Sequence, residues 1–369
     1  MSRGRRLFFR RAALAVWVVA ILVSAAYVPQ LRLRLGESAS RGWRVYLALS
    51  LGLLSVAGLG LALARNRGRA GPTLFRLALL AAGGSLGLSL LANPDPRARF
   101  IEAAHLAEYG VLGVLAFLAI AASTLVLRLG RSFNLISAVG LIDESLQWAL
   151  PARTAEIRDV ALNALSGAIG LGYAVIVFGG SREMGPATER EIRSFLMAAA
   201  VLVLALGLFL QAVHRGHWIR WSQVEFVSMF RESELERMGD DRRARWANLS
   251  QAERSDLLHP ERCIWGVEDF YATEALRHIQ ARNDAAERGD ARAAAAENRL
   301  LELWYAPFLS ATGTRVPFEP DLSAGTYRSP ALRHLWPWLT PLRLWGATLP
   351  VAGALAGLAF RAAGGGGRG

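Results

Sequence analysis

A row of ten residues suited to moving protons, holding anions or making hydrogen bonds stands out between His105 and Asn163, inside or beside stretches otherwise apolar enough for a membrane. They are His105, Glu108 and Tyr109; Asp143, Glu144 and Gln147; then Arg153, Arg158, Asp159 and Asn163. A charge at the centre of a bilayer-spanning helix costs about 2.5–3.5 kcal/mol on insertion scales, so this concentration marks a candidate site. Two chemistries suit the residue types. The carboxyl groups of Glu108, Asp143, Glu144 and Asp159, with the imidazole of His105, suit general acid–base work or a proton relay. The guanidinium groups of Arg153 and Arg158, with Tyr109 and the amides of Gln147 and Asn163, suit binding of a phosphate or carboxylate. The same charges could instead pair into a network that packs three helices together.

The elements that position these groups are membrane helices. The chain has 369 residues, 53% of them apolar. Runs of about 18–22 apolar residues recur along it, which defines a polytopic membrane protein. The pattern predicts spans at Ala12–Val28, Val45–Ala64, Thr73–Leu91, His105–Leu127, Phe133–Leu150, Val160–Phe178, Ser194–Val213 and Leu344–Phe360. Consecutive spans alternate in direction, so the start of the fourth, the end of the fifth and the start of the sixth share one membrane face. His105, Glu108 and Tyr109 stand at i, i+3 and i+4, on one helical face. Glu144 and Gln147 are i, i+3, Asp143 and Gln147 are i, i+4, and Asp159 and Asn163 are i, i+4. Gly167 and Gly170 continue that last face inward, where small residues let a neighbouring helix approach closely.

Every basic residue is Arg; the chain contains no Lys. The formal charge of +12 would suit nucleic acid, but here Arg flanks apolar spans, which fits topology control and anionic lipid instead. No nucleic-acid partner is expected. Counting Arg in alternate short segments gives a two-to-one bias that puts the N-terminus in the cytoplasm. The Arg-rich start, Gly4-Arg5-Arg6-Leu7-Phe8-Phe9-Arg10, reads as a basic flank rather than as an export signal.

From about His214 to Pro341 the composition changes. This stretch holds 17 Arg against 19 acidic residues and no comparable apolar run. It reads as an inserted water-facing domain with helices expected at Trp218–Met238, Val267–Arg288 and Asp290–Leu303, and it could carry a protein partner. Asp269, Phe270 and Tyr271 could contact that partner, but aromatic core packing is their default reading. His214 and His217 have metal-like spacing but no evident third ligand, and they read as interfacial beside Trp218 and Trp221. Trp336, Trp338 and Trp345 read as an aromatic belt at the entrance to the last span. The single cysteine, Cys263, excludes an internal disulfide and supplies no metal motif. No metal or other cofactor is expected. The domains are thus 1–99 (three spans), 100–180 (three spans with the polar groups), 181–213 (a seventh span), 214–341 (helical, extramembrane) and 342–369 (a last span and a Gly-rich tail).

The motif-bearing residues resemble the VanZ-like family of membrane proteins. The resemblance rests on His105-Leu-Ala-Glu-Tyr109, Asp143-Glu-Ser-Leu-Gln147, Pro151-Ala-Arg153 and Arg158-Asp-Val-Ala-Leu-Asn163 with Gly167, within residues 100–175. It implies a bacterial cell-envelope protein in the cytoplasmic membrane and a link to resistance against glycopeptides of the teicoplanin type. The extra spans and the inserted domain depart from a minimal family member.

The expected fold is all-α: a polytopic transmembrane bundle of about eight helices with an inserted helical soluble domain outside. The leading functional expectation is an outward-facing polar cleft binding a membrane lipid, a lipid-linked cell-wall precursor or a wall-directed anionic compound. The alternatives are an intramembrane enzyme acting by acid–base chemistry on a lipid phosphate or ester, and a structural membrane scaffold.

Overall fold

The computed structural model describes residues 3–91, 96–149, 155–179, 185–248, 250, 267–308 and 325–364. Arg153, Cys263 and most of the Gly-rich tail lie outside them. The chain divides into two compact units: Met1–Gln147, Ala155–Leu208 and Ala347–Gly369 form the first, Trp148–Thr154 and Phe209–Gly346 the second.

The first unit is wholly helical among the described residues. It comprises α1 (Arg3–Arg65), α2 (Ala70–Leu91), α3 (Pro96–Ala119), α4 (Leu125–Trp148), α5 (Ile157–Phe178), most of α6 (Glu189–Val213) and the bulk of α10 (Pro341–Gly364). Among the described residues, six helices are long and apolar enough to cross a membrane: Gly4–Ala25, Arg67–Leu91, Leu125–Trp148, Ile157–Phe178, Glu189–Val213 and Pro341–Ala362. Two shorter apolar helices, Ser55–Arg65 and His105–Ala119, accompany them.

Glycine decides how the central helices meet. A Cβ on Gly170 would collide with the carbonyl of Gly110, and one on Gly113 with the carbonyl of Gly167. These contacts put α3 and α5 in near-backbone contact at one crossing. α3 runs antiparallel to α4, with Tyr109 at Asp143 and Phe117 at Arg128, so α3 and α5, both antiparallel to α4, run parallel to each other. α4 lies antiparallel to both, with Ile136 against Gly167 and Gly140 against Asn163. α2 also runs antiparallel to α5, with Leu80 at Gly172, Ile169 at Gly84 and Leu165 at Gly87. Tyr109, Leu112, Phe117, Ile136, Val139, Leu171 and Ala174 form the apolar centre of this arrangement.

Two boundaries differ from the sequence expectation. The helix carrying His105 ends at Ala119, not at Leu127, and α4 begins at Leu125. The break is held by side chains: Thr124 Oγ1 accepts from Leu127 N at 3.2 Å. Ser123 donates through both its N and its Oγ to Glu191. A Ser-Thr pair opening an apolar run is an N-terminal signal, and it outweighs the continuous hydropathy.

The second difference is that the first two expected spans form one continuous helix, α1. Its ends nevertheless run in opposite directions. Arg10 and Trp17 donate to the carbonyls of Leu118 and Glu108, while Gly58 and Arg65 meet Tyr173 and Phe178. Because α3 and α5 are parallel, the chain travels one way at Arg10–Trp17 and the other way at Gly58–Arg65. A straight helix would separate Trp17 from Gly58 by about 60 Å, so the helical path turns back between them.

The second unit corrects the expectation of a helix at Trp218–Met238. Those residues begin with β1 (His217–Trp221) and β2 (Val224–Ser228), antiparallel with His217 opposite Ser228 and Trp221 opposite Val224. Burial at Val224, Phe226 and Ser228 alternates with the period of a strand, not of a helix. Ser222, at φ 51°, makes the tight turn. β3 (Tyr327–Arg328) pairs with β2 in parallel, giving the sheet order β1–β2–β3. The helices are α7 (Glu232–Trp246), α8 (Val267–Glu287) and α9 (Ala291–Trp304). Asp290 caps α9 by accepting from Ala293 N at 3.0 Å.

Beside the core of Ile219, Phe226, Leu235, Tyr271, Leu300 and Tyr305 runs a buried polar row. Glu274 accepts from Ser228 Oγ at 2.7 Å, Met229 N at 2.6 Å and Tyr305 OH at 2.6 Å. His278 Nδ1 lies 2.8 Å from Glu297, which also accepts from Tyr327 OH at 2.8 Å. His214 stacks on Trp336 at 4.5 Å and faces the carbonyl of His334 at 2.6 Å.

Two groups of this unit set opposite pH dependences. Burial is the main cause that pushes the Glu274 carboxyl above the ordinary carboxylate range. Its contribution to stability is complete at low pH and is lost as pH rises through the raised value. Burial first, then His214 and Arg277, lowers the His334 imidazole from 6.5 to about 4. That contribution is present above 6.5 and is lost as pH falls toward 4, because the unfolded chain takes the proton first. His334→Gln should therefore flatten the acid-side fall in Tm between pH 6.5 and 4, read by Trp fluorescence of the full chain. An unchanged slope would remove His334 as its source.

Candidate functional site

The helix directions just described bring the C-terminal ends of α2 and α4 to the same end of the first unit as the N-terminal parts of α3 and α5. The polar residues gather there. On α3, Tyr109 is completely buried, and the His105 ring lies 6.3 Å from it at 28°. On α4, Asp143, Glu144 and Gln147 are buried. Tyr109 OH donates to Asp143 Oδ2 at 2.9 Å, joining α3 to α4. Glu144 accepts from Gln147 Nε2 at 3.0 Å and from the backbone N of Glu156 at 3.4 Å. A carboxylate thus stands at the N-terminal end of α5, where the helix dipole favours negative charge.

Arg158 is tied to the opposite kind of helix end. Its Nη1 donates to the carbonyl of Leu91, the last residue of α2, at 3.3 Å. Its Nη2 lies 3.0 Å from Asp159 Oδ1 and its Nε 3.6 Å from Glu156 Oε2. With 26% of the side chain exposed, Arg158 marks the rim. Asn163, fully buried, faces Gly140 of α4: a Cβ there would lie 3.2 Å from Asn163 Cβ and 3.6 Å from the Tyr109 ring.

Of the residues singled out from sequence, the structure joins Tyr109 to Asp143, Gln147 to Glu144 and Arg158 to Asp159. Glu108 is on the same helix as Tyr109, and its backbone carbonyl receives Trp17 Nε1 at 2.9 Å. Arg153 lies outside the described residues. Four participants escaped the sequence reading: Glu156, the Leu91 carbonyl, Gly140 and Ser166. Ser166 and Gly140 were findable, since they stand three residues from Asn163 and Asp143 on the same faces. The Leu91 carbonyl carries no sequence signal. Among the described residues no group of three or more His, Cys, Asp or Glu side chains could hold a metal ion.

Apolar helices long enough to cross a bilayer, with a polar, ionisable end shared by three antiparallel and parallel neighbours, define a multi-pass helical membrane protein. Residues 47–178 match the family model described as VanZ/LLP1, and that region is VanZ-like. The match starts well before the motif-bearing residues and takes in the second part of α1 and all of α2. No curated protein and no solved structure matches the chain.

Proposed function

We propose that the VanZ-like region binds the anionic headgroup of a membrane lipid or of a lipid-linked, wall-directed compound. The observation that carries this reading is the Arg158 guanidinium, one-quarter exposed at the rim of a fully buried polar floor formed by Tyr109, Asp143, Glu144 and Asn163. Arg158 would take the anion, with Arg153 beside it in the sequence loop. Gln147 and Asn163 would supply hydrogen bonds, while His105, Glu108, Asp143, Glu144 and Asp159 would set orientation and protonation. The Arg bias supports an N-terminus in the cytoplasm of a bacterial inner membrane and a site that opens outward. A role in tolerance of teicoplanin-type glycopeptides is part of this reading and rests on the resemblance to the VanZ-like family.

The test is native mass spectrometry of protein extracted gently from its own membrane, wild type beside Arg158→Ala. A phospholipid-mass adduct present in the first and reduced about tenfold or more in the second is expected, the scale of a lost charge-assisted hydrogen bond. Identical adducts, with Arg158→Ala merely less stable to heat, would make Arg158 a tie between α2 and α5 and end the binding reading.

A further inference from the structure

Asn163 and Ser166 stand one helical turn apart on the face of α5 that meets α3 and α4. Both side chains are completely buried. Among the described residues, neither amide atom of Asn163 nor the Oγ of Ser166 has a hydrogen-bond partner. A serine in a membrane helix ordinarily turns its hydroxyl onto the carbonyl one turn back, as Ser145 does onto Leu141 at 2.6 Å. Ser166 does not. A buried amide without partners costs about 1–3 kcal/mol on protein scales, and lipid offers nothing to offset it.

The Asn163 amide is aimed into the site. Its Nδ2 lies 3.7 Å from the place a Cβ on Gly140 would occupy, and the Tyr109 ring lies 3.6 Å from that same place. Gly140 is one turn from Asp143, whose carboxylate holds the Tyr109 hydroxyl. The amide therefore sits on the Tyr109 side of the seam, one helical turn of α4 from Asp143, where Gly140 contributes no side chain of its own. Asn163 is also five residues inward from Arg158, about 7–8 Å along α5. That spacing suits one phosphate carrying a short polyol.

We propose that Asn163 and Ser166 form an uncharged subsite for a neutral hydroxyl or amide group of the same amphiphile whose anion meets Arg158. This deepens the headgroup-binding reading and rests on it. An amide and a hydroxyl both donate and accept without net charge, so they select a hydroxyl or amide and gain nothing from a second anion. The ligand class is an anionic amphiphile whose polar part extends beyond the anion in a neutral, hydrogen-bonding group.

The experiment titrates the full chain, delipidated in detergent, with dioleoyl phosphatidylglycerol and with dioleoyl phosphatidic acid, read by native mass spectrometry. The first carries hydroxyls beyond its phosphate; the second carries none. Wild type should retain phosphatidylglycerol about tenfold better, the worth of one to two hydrogen bonds. Asn163→Leu and Ser166→Ala should each lower phosphatidylglycerol far more than phosphatidic acid, so that the preference between the two lipids disappears. Asn163→Leu should also equal or exceed wild type in lipid-free Tm, since an apolar side chain replaces an unpartnered amide; a purely structural Asn163 would give a fall. Equal retention of both lipids by wild type, lost in Arg158→Ala, overturns the subsite and leaves headgroup binding standing. A lipid preference that survives in both variants also overturns it. Retention of neither lipid overturns headgroup binding and the subsite together.

Discussion

Gly170→Ala is expected to lower the Tm of the membrane unit more than any other single methyl placed in it. The added Cβ would meet the carbonyl, carbonyl carbon and Cα of Gly110. These are backbone atoms of a neighbouring helix and have no rotamer to yield. α3 and α5 must then separate, which takes Tyr109 away from Asp143 and opens the seam at Asn163. Overpacking costs about 1–3 kcal/mol where side chains adjust, and this site should exceed that range. Gly84→Ala is the control: its Cβ meets only the tip of the Ile169 side chain, at 2.9 Å. Thermal unfolding followed by Trp fluorescence separates the two. Equal losses would contradict the close approach of α3 and α5.

Glu144→Ala should be the most damaging change within the polar end. Glu144 is fully buried. It accepts from the Gln147 amide and from Glu156 N at the start of α5. Truncation strands both donors and removes a negative charge from a helix N-terminus, a loss of about 2–4 kcal/mol. Glu144→Gln keeps the shape and one acceptor oxygen, and should lose less than half as much. The pair also distinguishes the roles weighed for this residue. If Glu144 were a proton donor or acceptor in a reaction, the Gln variant would fold normally and lose all turnover. If it ties α4 to α5, Gln retains most function and Ala loses stability. Chemical denaturation of both variants, with hydrogen exchange at the Glu156 amide, reads the difference. A slow Glu156 amide in Glu144→Ala would refute the tie.

Much of the site was legible because its information is local. The i, i+3 and i+4 spacings of His105–Tyr109, Asp143–Gln147 and Asp159–Asn163 place each group on one helical face whatever the helix packs against. Alternation of spans then puts the three groups at one end. The misreadings arose where two local signals competed. Thr124 and Ser123 break a run that hydropathy alone continues through Leu127. In His217–Ser228, strand-period burial competes with charges that also fit an amphipathic helix. Glu274 and His278 stand at i, i+4, yet no local pattern marks them as buried, because carboxylates are seldom buried in full. Their burial depends on Ser228, Tyr305 and Glu297, which lie far off in the chain.

The amino-acid sequence by itself determined the class of protein, the helical membrane core, the polar residues and the end of the bundle they occupy. Hydropathy and periodicity are sums over neighbours along the chain, so no folding knowledge is needed to evaluate them. Only the tertiary structure decided which donor meets which acceptor: Tyr109 with Asp143, Arg158 with the end of α2, Glu144 with the start of α5, and Asn163 with nothing among the described residues. Those pairings depend on helix register to within one residue. That register is set by backbone contact at Gly110, Gly113, Gly167 and Gly170, a distance between elements that no local pattern encodes.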